Sequence, residues 1–67
     1  MTQEQMENIA IGNVERNLGC CLEDDSSPDE VYEEAYTLAF DALVDADVDI
    51  ITAGGVASRV AQRFAQP

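Results

Sequence analysis

Ser27-Pro28-Asp29-Glu30 dictates a helix start near the middle of this chain. Ser at the N-cap offers its hydroxyl to the unpaired amides of a first turn. Pro at the first helical position lacks the amide that would go unpaired there, and Glu three residues after the cap fits a capping box. Asp29 and Glu30 also put negative charge where the helix dipole favours it. Helix 2 is therefore expected over about 28–46, roughly 28 Å at 1.5 Å per residue. Val31, Ala35, Leu38, Ala39, Ala42 and Ala46 are expected on its core side.

The helical period also governs the flanks. Met6, Ile9, Ala10, Val14 and Leu18 recur three or four apart and define one face of helix 1, expected over about 3–18. Thr2 with Gln5 fits a second capping box, and Gly19 fits the position just past a helix end. Gly12 and Asn13 lower the propensity of the middle of this helix by about 1 kcal/mol. Helix 3, starting near Asp49 or Thr52, is expected over about 52–66, with Val56, Ala57, Val60, Ala61 and Phe64 as its apolar stripe. Arg59 and Arg63 fall on another face, and Gly54 and Gly55 in the first turn. No run alternates with period two, so no strand is expected. The fold class is all-α: a small three-helix bundle in one domain. Residues 23–27 form a polar linker, and Val48-Asp49-Ile50-Ile51 forms the second connection.

At 67 residues, such a domain buries only about 60% of the surface of its unfolded chain. The hydrophobic fraction of 46% is enough to fold, but Ala and Val supply much of it and Trp is absent. The core must be thin, which leaves self-association open as part of the folded state. No run approaches the ~18 apolar residues of a membrane span, and Met1-Thr2-Gln3-Glu4 does not open a secretory signal, so a cytoplasmic protein is expected. Cys20 and Cys21 are adjacent, and neighbouring Cβ atoms diverge, so both are read as reduced thiols.

Charge is distributed far less evenly than hydropathy. Eleven of the fourteen acidic residues lie between Glu23 and Asp49, a segment without Lys, Arg or His. The flanks balance, Glu4, Glu7 and Glu15 against Arg16, Arg59 and Arg63, so the net charge of −11 resides in the middle segment. On a helical wheel, Glu30, Glu33, Glu34, Asp41 and Asp45 share one side of helix 2, a ladder about 22 Å long. Like charges four apart cost a few tenths of a kcal/mol per pair. Most charge runs are solvated faces, and an acid-rich host proteome would add acid too. Solvated faces usually mix signs, and host adaptation would spread acid evenly; neither is seen. Tyr36, Phe40 and Val44 lie between the ladder and the apolar side. They fit either an interface with a greasy centre or packing against the other helices, with Phe40 assigned to packing.

Chemistry finds little support. The chain has no His, no base placed beside a Cys nucleophile, and too little mass to enclose a ligand pocket readily. No enzyme, cofactor or metal site is expected. Asp45-Ala-Asp47-Val-Asp49 opens like a calcium loop, but Ile50 and Val56 stand where Gly and Glu are required. Thr52-Ala53-Gly54-Gly55 does not complete a phosphate loop, and the chain has no Lys. A helix-turn-helix with Arg59 and Arg63 on the reading helix conflicts with the overall charge. Nucleic acid and anionic membrane would both be repelled.

Length, the acid block and the row Glu30, Glu33, Glu34, Asp41, Asp45 resemble the small acidic proteins of phages and mobile elements that act against host defence, anti-CRISPR proteins and DNA mimics among them. The resemblance is one of charge pattern and involves no shared motif. It implies that the acidic face occupies a Lys/Arg-lined nucleic-acid groove on a host nuclease or surveillance complex, in the host cytoplasm. The expected function is thus a non-enzymatic inhibitor or interaction protein. Its binding face comprises Glu30, Glu33, Glu34, Asp41 and Asp45, extended by Asp24, Asp25, Asp47 and Asp49, with Tyr36 and Val44 alongside. The alternative is a helical homodimer, a structural or adaptor module joined through Met6, Ile11, Tyr36, Val44 and Phe64, whose acids serve solubility.

Overall fold

A computed structural model describes residues 2–21 and 27–65. They form three helices, α1 (Gln3–Cys21), α2 (Pro28–Asp45) and α3 (Ile50–Ala65), with no strand among the described residues. The chain is a small three-helix bundle.

Local hydrogen bonding sets the helix starts. At α1 the capping box is reciprocal: the Thr2 amide donates to Gln5 Oε1 at 2.9 Å, and the Gln5 amide donates to Thr2 Oγ1 at 3.1 Å. At α2 the Glu30 amide donates to Ser27 Oγ at 3.3 Å, with Pro28 following the cap. At α3 the Thr52 amide donates to Asp49 Oδ2 at 3.0 Å, which makes Asp49 the N-cap. The third helix therefore begins at Ile50, just after Asp49, the earlier of the two expected starts and two residues before 52. Gly54 and Gly55 consequently sit in its second turn, where a glycine costs helix propensity, and not in the first as expected.

The helix ends differ more from expectation. Helix α1 does not stop at Leu18; it runs on through Gly19 to Cys21. Gly19 is free to take either a left-handed cap or a helical conformation, and here it stays helical. Helix α2 ends in a Schellman motif. The Val48 amide donates to the Leu43 carbonyl at 3.0 Å and the Asp47 amide to the Val44 carbonyl at 3.1 Å. Asp47 occupies the left-handed position at φ 67, where glycine is the usual residue. Val48 then packs against the core, as the residue after such a turn commonly does.

The core is small and rich in alanine. Ala10, Val14, Ala35, Ala39, Leu43, Ala53, Val56, Ala57, Val60 and Ala61 are buried. Six of these ten are Ala, so the helices must approach closely to exclude water. Helix α2 packs more extensively on α3 than on α1, and α1 touches α3 least. That asymmetry turns the core side of α2 toward α3. Leu43, which the sequence reading left out of the core face, is fully buried, while Val31, Leu38, Ala42 and Ala46 are only half-buried. On α1, Ile9 was expected inside and is 36% exposed; Ile11 packs against the core in its place. The α3 stripe is as expected, with Phe64 half-buried and Ala53 added.

Polar side chains tie α2 to both neighbours. Asn13 Nδ2 donates to the Leu38 carbonyl at 2.8 Å, and Asn17 Nδ2 donates to Asn13 Oδ1 at 3.0 Å. Residue 13 thus trades helix propensity for a link between α1 and α2. Across the other interface, the hydroxyls of Tyr32 and Ser58 are hydrogen-bonded at 3.0 Å.

Candidate functional site

The two interfaces of α2 leave its remaining side free. Core contact fixes Ala35, Ala39 and Leu43 inward. Turning about 180° around the helix from Ala39 reaches Glu30, Asp41 and Thr37, at 100° per residue. Glu30, Glu33, Thr37, Asp41 and Asp45 are all exposed, and Glu34 is half-buried. The ridge predicted from the wheel is therefore on the solvent side, about 22 Å from Glu30 to Asp45. No basic residue occurs on α2, and its last turn carries Asp45 against an unfavourable dipole.

The three arginines belong to α1 and α3. Arg16 lines an open groove of about 630 Å³ between α1 and α2, together with Asn8, Ile9, Asn13, Asp41 and Asp45. It brings one positive charge toward the C-terminal half of the ridge. Arg63 borders a smaller groove with Ile11, Glu15 and Phe64, and Arg59 one with Gln3 and Met6. The N-terminal half of the ridge, Glu30, Glu33 and Glu34, shares none of these grooves.

The expected extensions of the ridge have separate fates. Asp24 and Asp25 lie outside the described residues. Asp47 is the left-handed residue of the α2–α3 turn, and Asp49 is the cap of α3. Both are exposed, so each adds charge at this end while serving a local structural role. Donation from the Thr52 backbone amide, then from its hydroxyl, holds the Asp49 carboxyl below its ordinary range. Asp45, Asp47 and Asp49 sit on a last helical turn, a reversal and a cap. Among the described residues no three His, Cys, Asp or Glu side chains are grouped to hold a metal ion.

Beside the ridge runs an aromatic row. Tyr32 and Tyr36 are stacked with ring centroids 6.3 Å apart, and Tyr36 and Phe40 with centroids 6.0 Å apart. All three are half-buried and pack against the core. The outer edge of Tyr32 and Tyr36 borders an open groove of about 570 Å³ with Asp29, Glu33 and Thr37. Tyr36 thus divides its surface between α3 and the acidic side, whereas Phe40 packs inward as expected. Val44 is 42% exposed. Of the other residues assigned to a dimer seam, Met6, Ile11 and Phe64 already pack against the core of their own chain.

The sequence reading missed one exposed feature. Ile50 and Ile51, assigned to a connection, form the first turn of α3 and are 70% and 88% exposed. The signal was present: Ile51 lies four residues before Gly55 and eight before Arg59, on the side away from the Val56–Val60 stripe.

Among the described residues, no helix is long and apolar enough to cross a membrane. No protein-family model matches the chain, and neither a curated protein nor a solved structure is detectably similar to it.

Proposed function

We propose that this protein is a non-enzymatic binding protein whose α2 ridge engages a basic, nucleic-acid-binding surface of another protein, in the manner of an anti-CRISPR protein or DNA mimic. The observation that carries the reading is the exposed row Glu30, Glu33, Asp41 and Asp45 on a helix with no cation of its own. Glu30 with Glu33, and Asp41 with Asp45, are each about one turn apart, roughly 6 Å. Thr37 and a gap of about 12 Å separate the two pairs, so the row offers two pairs of negative charges where a basic surface would meet phosphates. A rigid helix presents them without the entropy cost of ordering a loop. The arrangement costs stability through self-repulsion, and a surface lined with Lys and Arg would return that cost on binding.

Association of this kind is fast and weakens with salt. The test is capture of basic proteins from a phage-susceptible bacterial lysate by the wild type and by a Glu33→Lys, Asp41→Lys variant. Both positions are exposed, so the reversals leave the core intact. A nucleic-acid-binding protein retained by the wild type at low salt, released at high salt and lost in the variant supports the reading. Identical retention by the variant overturns it.

A further inference from the structure

Ile50 and Ile51 are the most exposed large apolar side chains among the described residues. They stand at the α2–α3 end of the bundle, where Val44 is also exposed. Scattered surface hydrophobics are ordinary. Two adjacent isoleucines in one first turn are less so, because that position needs no apolar residue to form the helix. The Asp49 cap supplies the start, and the buried stripe begins only at Ala53. Ile51 in particular, 88% exposed, gains the fold almost no burial.

The surroundings decide what covers it. Asp45, Asp47 and Asp49 precede the pair within five residues, and all three are exposed. A second copy of the chain, joined by a two-fold axis, would bring two such acidic sets together around one seam. Each chain carries a net charge of −11, so that contact is opposed at short range and at long range. Arg59, two turns along α3, lines a groove with Thr52 and offsets only part of the charge of these three acids. The charge complement of this end is therefore a basic surface.

Resting on the binding reading above, we infer that Ile50 and Ile51 are an apolar anchor for the same partner at the Asp45–Asp49 end of the bundle. They take a partner segment in which apolar side chains are flanked by Lys or Arg, such as a basic amphipathic helix. The acids speed and steer the encounter, while the isoleucines, desolvated on binding, hold the complex. This narrows the partner: a surface that is merely cationic satisfies the ridge and leaves the anchor in water.

Two synthetic peptides serve as probes. One is a helical Leu/Lys peptide with Lys on one side and Leu on the other. The other has Gln in place of every Leu, with the same charge and spacing. Fluorescence anisotropy measures each against the wild type, an Ile50→Ser, Ile51→Ser variant, and the Glu33→Lys, Asp41→Lys variant. Circular dichroism and sedimentation establish helix content and mass for all three. The inference expects the wild type to bind the Leu/Lys peptide at least about tenfold more tightly than the Gln/Lys peptide, from burial of two isoleucines. The serine variant should lose that preference yet bind the Gln/Lys peptide as the wild type does. Equal binding of both peptides by the wild type overturns the anchor and leaves the acidic ridge standing. A Leu preference that survives in the serine variant places the anchor elsewhere and also overturns it. A wild-type dimer dispersed by the serines makes the occupant a second copy and overturns the partner assignment. Failure of both peptides to bind at low salt removes the acidic reading itself, and the anchor with it.

Discussion

The hydroxyl oxygen of Tyr36 lies 3.3 Å from the point that a Cβ on Gly54 would occupy. That leaves little room for a side chain at position 54 beside the aromatic row, and it separates the two neighbouring glycines of α3. A Cβ on Gly55 would meet nothing within 4 Å.

Gly55→Ala is expected to stabilise the protein by about 0.5–1 kcal/mol, because a helical glycine loses more backbone entropy than alanine and nothing obstructs the methyl group. Gly54→Ala has the same propensity gain but must displace the Tyr36 hydroxyl by a few tenths of an ångström, so it should gain less or lose. Removing the hydroxyl with Tyr36→Phe should make Gly54→Ala more favourable than in the wild-type background. Urea unfolding of the four-member cycle measures the coupling. Additivity within error would show that the contact is not constraining.

Asp47→Gly is expected to raise stability by about 1 kcal/mol. The residue holds a positive φ of 67, which an L side chain reaches at a cost that glycine avoids. The change also removes a carboxylate from the negative end of α2. Asp47→Val, β-branched at the same dihedral, should lower the unfolding midpoint instead. Thermal melts of the two variants beside the wild type provide the comparison.

The Asp49 cap carries a pH signature. Its carboxyl is held below the ordinary value of 3.8 by the Thr52 hydrogen bonds. A depressed folded-state value stabilises the fold above the unfolded-state value, and that contribution is lost as pH falls through the folded-state value. Asp49→Asn keeps the capping geometry without the charge. The stability difference between wild type and Asp49→Asn should be constant above about pH 5 and move against the wild type below about pH 4. Taking the difference cancels the opposing gain that both proteins receive as the other carboxylates protonate. A flat difference down to pH 2.5 would remove the cap from the pH response.

Salt should stabilise the free protein. With a net charge of −11 and no base on α2, raising ionic strength screens more repulsion than attraction. The melting temperature is expected to rise by several degrees between about 0.02 M and 0.3 M NaCl, since 1 kcal/mol corresponds to about 4–8 °C in a domain this small. Glu33→Lys, Asp41→Lys should flatten that slope. The prediction concerns stability alone and can be tested before any partner is known.

Part of the candidate site was legible in advance. The wheel put Glu30, Glu33, Asp41 and Asp45 on the solvent side, since a helical period and a buried Ala35–Ala39 side leave one direction for charge. The local roles of Asp47 and Asp49 were not legible. A run of alternating acids looks the same whether its members line a ridge, reverse the chain or cap a helix. Hydrogen bonds from Val48, Asp47 and Thr52 tell them apart. Ile50 and Ile51 were hidden for a similar reason. Read as connection they carried no face, and once α3 begins at Ile50 their exposure becomes a feature of a rigid element.

The sequence alone was enough to place the starts of α1 and α2 and to make all three elements helices. Those outcomes depend on interactions spanning three or four residues, as in Thr2 with Gln5 and Ser27 with Glu30. It also determined the charge asymmetry, which no fold can redistribute along the chain. Only the tertiary structure decided which way each helix is turned. Leu43 is buried where Leu38 is partly open, Ile9 faces outward while Ile11 packs inward, and Asn13 serves the α1–α2 contact. Periodicity defines a side of a helix only to within about a residue, or 100°. The rest is settled by which neighbour comes closest, and here the extensive α2–α3 contact, closed over alanines and Gly54, sets the rotation of α2 and hence the direction its acids face.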